Sequence, residues 1–167
     1  MSSHHSMPIA VVGMSCRFPG DATSVEAFWD FIVQGRSAAS EIPKDRFNID
    51  AYYHPSSTRQ GSINVRKGHF LKEDVSRFDA PFFSITKNEA DATDPQQRLL
   101  LEVAYEAFEN AGMSMSTLAG SPTSVYSANF STDYKQISAF DSEDQPDYGS
   151  TGHSTALIAN RVSTYCH

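Results

Sequence analysis

The stretch DPQQRLLLEVAYEAFENAG, Asp94 to Gly112, carries the marks of a complete helix within its own residues. Asp94 is a capping residue, and Pro95 falls at the first helical position, where its missing N–H is no loss. Gln97 stands where a capping box would close. Leu99, Leu100, Val103, Ala104, Ala107, Phe108 and Ala111 recur at helical spacing and make one face apolar. Arg98 and Glu102 are spaced for an i,i+4 pair on the outer face, and Gly112 ends the helix. A helix with such a stripe must pack on something, and the flanking sequence suggests what that is.

Upstream, Pro8 to Gly13 (PIAVVG) is a short, continuous apolar run ending in glycine. That pattern predicts a strand buried on both faces, as in a layered α/β protein. Thr23 and Glu26 predict a second capping box, with Phe28, Trp29, Phe31 and Ile32 on the apolar side and Gly35 at the C-terminal cap. From Ser37 to Asp79 periodicity is lost, which predicts a long excursion with one short hairpin; loops of that length usually serve function or an interface. Downstream, Thr123 to Ala128 (TSVYSA) reads as a second strand and Ser131 to Tyr148 as a polar, aspartate-rich loop. Thr155 to Val162 reads as a short helix. Strand, helix, insertion, helix, strand, helix is an α/β order, with too few strands to build a sheet covered on both faces.

A chain of 167 residues, 40% hydrophobic and with eleven Phe and seven Tyr, has the size and content of one packed domain. Its 13 basic and 20 acidic residues give a formal charge of -7, and no basic run accompanies them, which argues against nucleic acid as a partner. No apolar segment approaches a membrane span, and MSSHHSM lacks the apolar region of a signal peptide, so a cytoplasmic protein is expected. Cys16 and Cys166, one near each end, do not form a disulfide framework. Residues 1–7 are expected to be a disordered tail, on which the His4–His5 pair is a poor metal site. No metal or cofactor is expected. The residues after the first strand, Gly13-Met14-Ser15-Cys16-Arg17-Phe18-Pro19-Gly20, lack both the dinucleotide spacing and the Lys-Ser/Thr of a phosphate loop.

Four blocks follow one another in a familiar order: IAVVGMSCRFPG (Ile9–Gly20), EAFWDFIVQGRSAASEIPKDRFNIDAYY (Glu26–Tyr53), GHFLKEDVSRFDAPFFSIT (Gly68–Thr86) and EADATDPQQRLLLEVAYEAFENAG (Glu89–Gly112). In this order they resemble the N-terminal part of the β-ketoacyl synthase domain of polyketide synthases. FSTDY (Phe130–Tyr134), YGSTG (Tyr148–Gly152) and ANRVS (Ala159–Ser163) resemble the fungal, highly reducing type in particular. The resemblance covers nearly all the chain after Met7. It implies that residues 8–167 are an incomplete N-terminal half of a thiolase-like fold, which in full is two α/β halves layered α-β-α-β-α and works as a homodimer. It also implies acyl transfer and decarboxylative Claisen condensation. In that chemistry a cysteine thiolate takes the acyl chain from an acyl carrier protein as a thioester. Two histidines of the C-terminal half then act on the malonyl thioester.

The sequence closes on Cys166–His167, which raises the question of a thiol active site. The resemblance places the nucleophile, in an Asp-Thr-Ala-Cys-Ser motif, beyond His167, and both catalytic histidines further on. Adjacent side chains diverge on a helix or a strand, so Cys166 and His167 are poorly placed to pair. No helix N-terminus follows to lower the thiol pKa. Cys166 and Cys16 are therefore expected to be packing residues, and the catalytic set of this chain is expected to be empty. Three segments depart from the family pattern. VSTYCH replaces an aromatic-aromatic-Asp continuation, TSVYSA a strand rich in Gly and Val, and ITKNEADAT the usual Pro-Arg-Glu-Ala run. With an apolar stripe left to cover, the isolated chain is expected to be of low stability and prone to aggregate. Two readings of function follow: part of a condensing domain that is inactive alone, or a non-catalytic remnant acting as an interaction module.

Overall fold

The computed structural model describes residues 8–140 and 147–166; the expected 1–7 tail with its His4–His5 pair, and His167, lie outside the described residues. The chain divides into two compact units. One combines the residues up to Ser15 with those from Ser76 onward, and the other is Cys16–Val75.

In the smaller unit, helix α1 spans Val25–Val33. Its cap is Ser24 rather than Thr23: the Ser24 hydroxyl accepts from the Ala27 N–H at 3.2 Å, and its backbone is extended, as a cap requires. Ala27 at the third position has no side chain to reach back, so the expected capping box is absent. Gly35 takes the left-handed conformation (φ 60°) that closes the helix. Phe28 packs on Phe18 with ring centroids 4.4 Å apart, whereas Trp29 and Ile32 face outward. The expected apolar side is thus split between an inner and an outer face. The long excursion does hold a strand pair: β1 (Ala39–Glu41) runs antiparallel to β2 (Lys67–His69), with Ala39 opposite His69 and Glu41 opposite Lys67. No tight turn joins them. The connection carries a 3-10 turn, Ile49–Ala51, capped by Asn48, and Arg66 ties it down through Asp50 at 2.7 Å and Glu41 at 3.5 Å.

The larger unit is helical: α2 (Lys87–Ala92), α3 (Pro95–Asn110), α4 (Met115–Leu118), α5 (Asp133–Ala139), α6 (Gly149–Gly152), a 3-10 turn at Thr155–Leu157, and α7 (Ile158–Tyr165). Helix α3 starts and stops where its sequence says. Asp94 accepts from the Gln96 N–H at 2.8 Å, Pro95 opens the helix, and Gly112 is left-handed at φ 69°. Two details differ. Gln97 and Arg98 are buried with Leu101, because α7 packs on that side of α3. The Arg98 guanidinium donates to the Ser76 carbonyl at 3.5 Å instead of lying on an outer face. Phe83, Leu101, Leu118, Val162 and Cys166 form the buried core, with Leu100, Ala104, Tyr105 and Phe108 packed around it.

Neither expected strand forms. Pro8–Gly13 has no ladder partner, and Ile9, Val11 and Val12 are 95%, 79% and 70% exposed; Tyr126 in the Thr123–Ala128 segment is 92% exposed. A strand exists only where a neighbour completes its hydrogen bonds, and no described strand flanks either segment. Only the end of the first run is tied to α3: the Met14 N–H donates to Asn110 at 3.0 Å and Ser15 to Glu106 at 2.6 Å. At Gly13 a Cβ would stand 2.4 Å from the Ala107 carbonyl oxygen, so this approach requires glycine. The polar segment read as a loop from Ser131 to Tyr148 contains α5, whose polar residues mask its period; residues 141–146 of it lie outside the described residues. The last helix begins as a 3-10 turn and runs to Tyr165, three residues past the expected end.

Candidate functional site

The family-like segments converge on one polar joint in the larger unit. The Gly152 carbonyl accepts from the Asp94 N–H at 3.0 Å and from the Gln97 side-chain amide at 2.8 Å. The same Gln97 amide reaches the Ser154 carbonyl at 3.2 Å. A Cβ on Gly152 would come within 2.2 Å of the Ala92 carbonyl oxygen, so the approach of α6 to the turn between α2 and α3 is possible only for glycine. Thr93, fully buried in that turn, donates to the Glu89 carbonyl at 2.7 Å. Arg161 of α7 meets Glu89 of α2 at 2.9 Å, with both side chains largely shielded from water. The residues of EADATDPQQ, STG and ANRV therefore hold one another in place. Helix-helix packing alone would not fix that register.

Beside the joint lies a half-open cavity of about 470 Å³, lined by Phe83, Ile85, Leu101, Leu157 and Tyr165 together with the Glu89–Arg161 pair. Ser84, on its wall, has left-handed backbone (φ 57°). The lining can hold an apolar group next to a neutralised ion pair. Among the described residues no cysteine or histidine lines it.

Cys166 sits elsewhere. It follows α7, its N–H donates to the Val162 carbonyl at 3.1 Å, and its thiol lies in the core beside Leu118 and Val162. Burial pushes the Cys166 thiol above its ordinary pKa, the reverse of what activates a nucleophile. Cys16 is half-buried in the smaller unit and takes no part in a disulfide. Among the described residues no cluster of His, Cys, Asp or Glu could hold a metal ion, and no helix is long and apolar enough to cross a membrane. Sequence reasoning missed the joint. The available signal was Gln97, a polar residue four positions before Leu101 and so on the same helical face.

Residues 6–167 match the family model of the β-ketoacyl synthase N-terminal domain. The chain belongs to that family. Its relatives are fungal polyketide synthases. It is 49% identical over 160 residues to a highly reducing polyketide synthase of Aspergillus calidoustus, covering 96% of this chain and 6% of that protein. It is 53% identical over 159 residues to a highly reducing polyketide synthase of a fungal species, covering 94% of this chain and 6% of the relative. A non-reducing polyketide synthase of Penicillium canescens is 49% identical over 158 residues, with 95% and 6% covered. The ketoacyl synthase segment therefore spans a small fraction of its relatives' length. Among solved structures, the oxazolomycin ketosynthase domain of Streptomyces albus matches with a TM-score of 0.80 at 31% identity, over 93% of this chain and 27% of that one. The module 6 ketosynthase of the bacillaene synthase of Bacillus subtilis matches with a TM-score of 0.74 at 33% identity, over 94% and 24%. The fold is thus part of the thiolase-like ketosynthase fold, and this ketoacyl synthase segment covers about a quarter of it.

Proposed function

We propose that this segment is the front of a condensing domain in a fungal polyketide synthase of the highly reducing type, working in the cytoplasm as a homodimer. In the whole domain, an acyl group passes from an acyl carrier protein to a cysteine thiol as a thioester. Decarboxylation of a malonyl thioester then drives carbon–carbon bond formation. The present residues contribute scaffold and no reacting group. The observation that carries this reading is the state of Cys166: it is buried in the core among Phe83, Leu101, Leu118 and Val162, with a raised pKa and no histidine among those described core residues. A thiol so placed does not become the thiolate that acyl transfer needs at neutral pH.

Two measurements test the proposal. Sequencing the transcript past the codon for His167 is expected to find an Asp-Thr-Ala-Cys-Ser motif in frame. Incubating the purified chain with an acyl thioester is expected to leave Cys166 unmodified by mass spectrometry. Stable acylation of Cys166 would overturn the scaffold reading. A stop codon with no such motif downstream would leave the non-catalytic interaction module instead.

A further inference from the structure

The cavity of about 470 Å³ beside the joint has no part in the condensation reading. Its walls come from residues 83–89, from Leu101 of α3 and from residues 157–165, and the structure describes every residue of those runs. Helix α7 and the turn before it supply Leu157, Asn160, Arg161, Thr164 and Tyr165, which their spacing puts on one helical face. Phe83, Ile85, Leu101, Leu157 and Tyr165 make the apolar part, with the Phe83 and Tyr165 ring centroids 4.8 Å apart.

The polar part is of two kinds. Glu89 and Arg161 are engaged with one another at 2.9 Å, so the pair carries no net charge. Ser84, Asn160 and Thr164 differ: among the described residues, no hydrogen bond engages any of their side chains. Two hydroxyls and a carboxamide therefore remain to donate to and accept from a ligand. Ser84 adds a separate sign. It is the one described residue other than glycine with left-handed backbone (φ 57°), and it stands on this wall. Residues held in that conformation cluster at ligand sites.

The volume lies in the range of small-molecule sites. A carboxylate entering it would face Glu89, and a cation would face Arg161; either would also give up its hydration. A neutral ligand avoids both costs. Aromatic rings pack favourably against Phe83 and Tyr165, and an amide group both donates and accepts, as the free side chains do. We propose that this cavity binds a neutral aromatic amide, its ring on the apolar part and its amide group among Ser84, Asn160 and Thr164. The assignment goes beyond the condensation reading and does not depend on it.

The test is a titration of the full chain with benzamide, benzoate and benzamidine, three probes of one shape and different charge. It is followed by amide NMR at neutral pH and constant ionic strength. It is made in a V11S/Y126S background, which keeps the exposed apolar segments from associating. Saturable shifts at Ser84, Leu157, Asn160 and Thr164 are expected with benzamide, and binding of the two charged probes weaker by roughly fivefold or more. Thr164→Trp, which fills the cavity mouth, and Ser84→Gly, which removes a hydroxyl at a backbone conformation that suits glycine, are each expected to weaken benzamide binding. Both positions are exposed, and Ser84→Gly decides the matter should Thr164→Trp lose its circular dichroism. Shifts that do not saturate, or a dissociation constant unchanged in Ser84→Gly or in a folded Thr164→Trp, would overturn the assignment. So would benzoate or benzamidine binding as tightly as benzamide, which signals partition into any apolar surface.

Discussion

Ser84 is the one described residue other than glycine with left-handed backbone, at φ 57°. A side chain there crowds its own carbonyl, at a cost of about 1–2 kcal/mol, which glycine avoids while losing some entropy on folding. Ser84→Gly is therefore expected to raise stability by up to about 1 kcal/mol, read as a higher urea midpoint at unchanged slope. A lower midpoint would mean that the Ser84 side chain makes a contact worth more than the strain. Cys166 makes the opposite case, a residue whose environment suits its neutral form. Burial raises its pKa in the folded chain above the unfolded value, so folding favours the thiol over the thiolate. That contribution is complete below the unfolded pKa of about 8.5 and is lost as pH rises beyond it, where the unfolded chain gives up a proton that the folded chain keeps. Wild type should lose more stability between pH 7.5 and 10 than Cys166→Ala, in denaturant melts at the two pH values. Iodoacetamide should label native Cys166 far more slowly than the same residue in urea. The sequence shows that Cys166 and His167 are badly placed to pair; it could not show the burial, which depends on Leu101 and Leu118 from distant helices.

At the scale of the element, legibility follows the range of the interactions. The start of α3 was readable because Asp94, Pro95 and Gln96 act on one another within a single turn. The destination of Gln97 was not, since its acceptors are the carbonyls of Gly152 and Ser154, more than fifty residues on. Helices α2, α4 and α6 are of six, four and four residues, too short to show a period, and are held by caps and neighbours. Gly152→Ala tests how tight the joint is. The added methyl would meet the Ala92 carbonyl oxygen at 2.2 Å, and that atom is backbone, so either α6 or the turn before α3 must move. A loss of about 1–3 kcal/mol is expected, the range of overpacking a close contact. Asp94→Ala removes one side-chain cap and leaves the Asp94 N–H on Gly152, so it should cost less, about 1 kcal/mol. Thermal melts of the two variants side by side check the order. Equal effects would mean that α6 can shift freely.

At the scale of the whole molecule, the helices follow from local pattern, but the sheet cannot. Ile9–Val12 and Thr123–Ala128 have the composition of strands, yet strand formation depends on a partner, and no described residue supplies one. The ketosynthase fold was legible in the order of motifs along the chain, because that order reflects contacts that local propensity does not contain. The same absence of partners governs the behaviour of the isolated chain. Ile9, Val11, Val12, Tyr126 and Phe130 are all largely exposed, so large apolar side chains face water along segments that have no ladder partner among the described residues. Surfaces of this kind associate, and unpaired backbone gives them a template for doing so. Sedimentation of the purified chain should show oligomers that grow with concentration, together with binding of a hydrophobic dye. Val11→Ser with Tyr126→Ser should reduce both while leaving the helical circular dichroism in place, because neither side chain is buried in the core. A monomeric wild type with a sharp, cooperative melt would require those residues to be covered, and hence a different packing of the two segments.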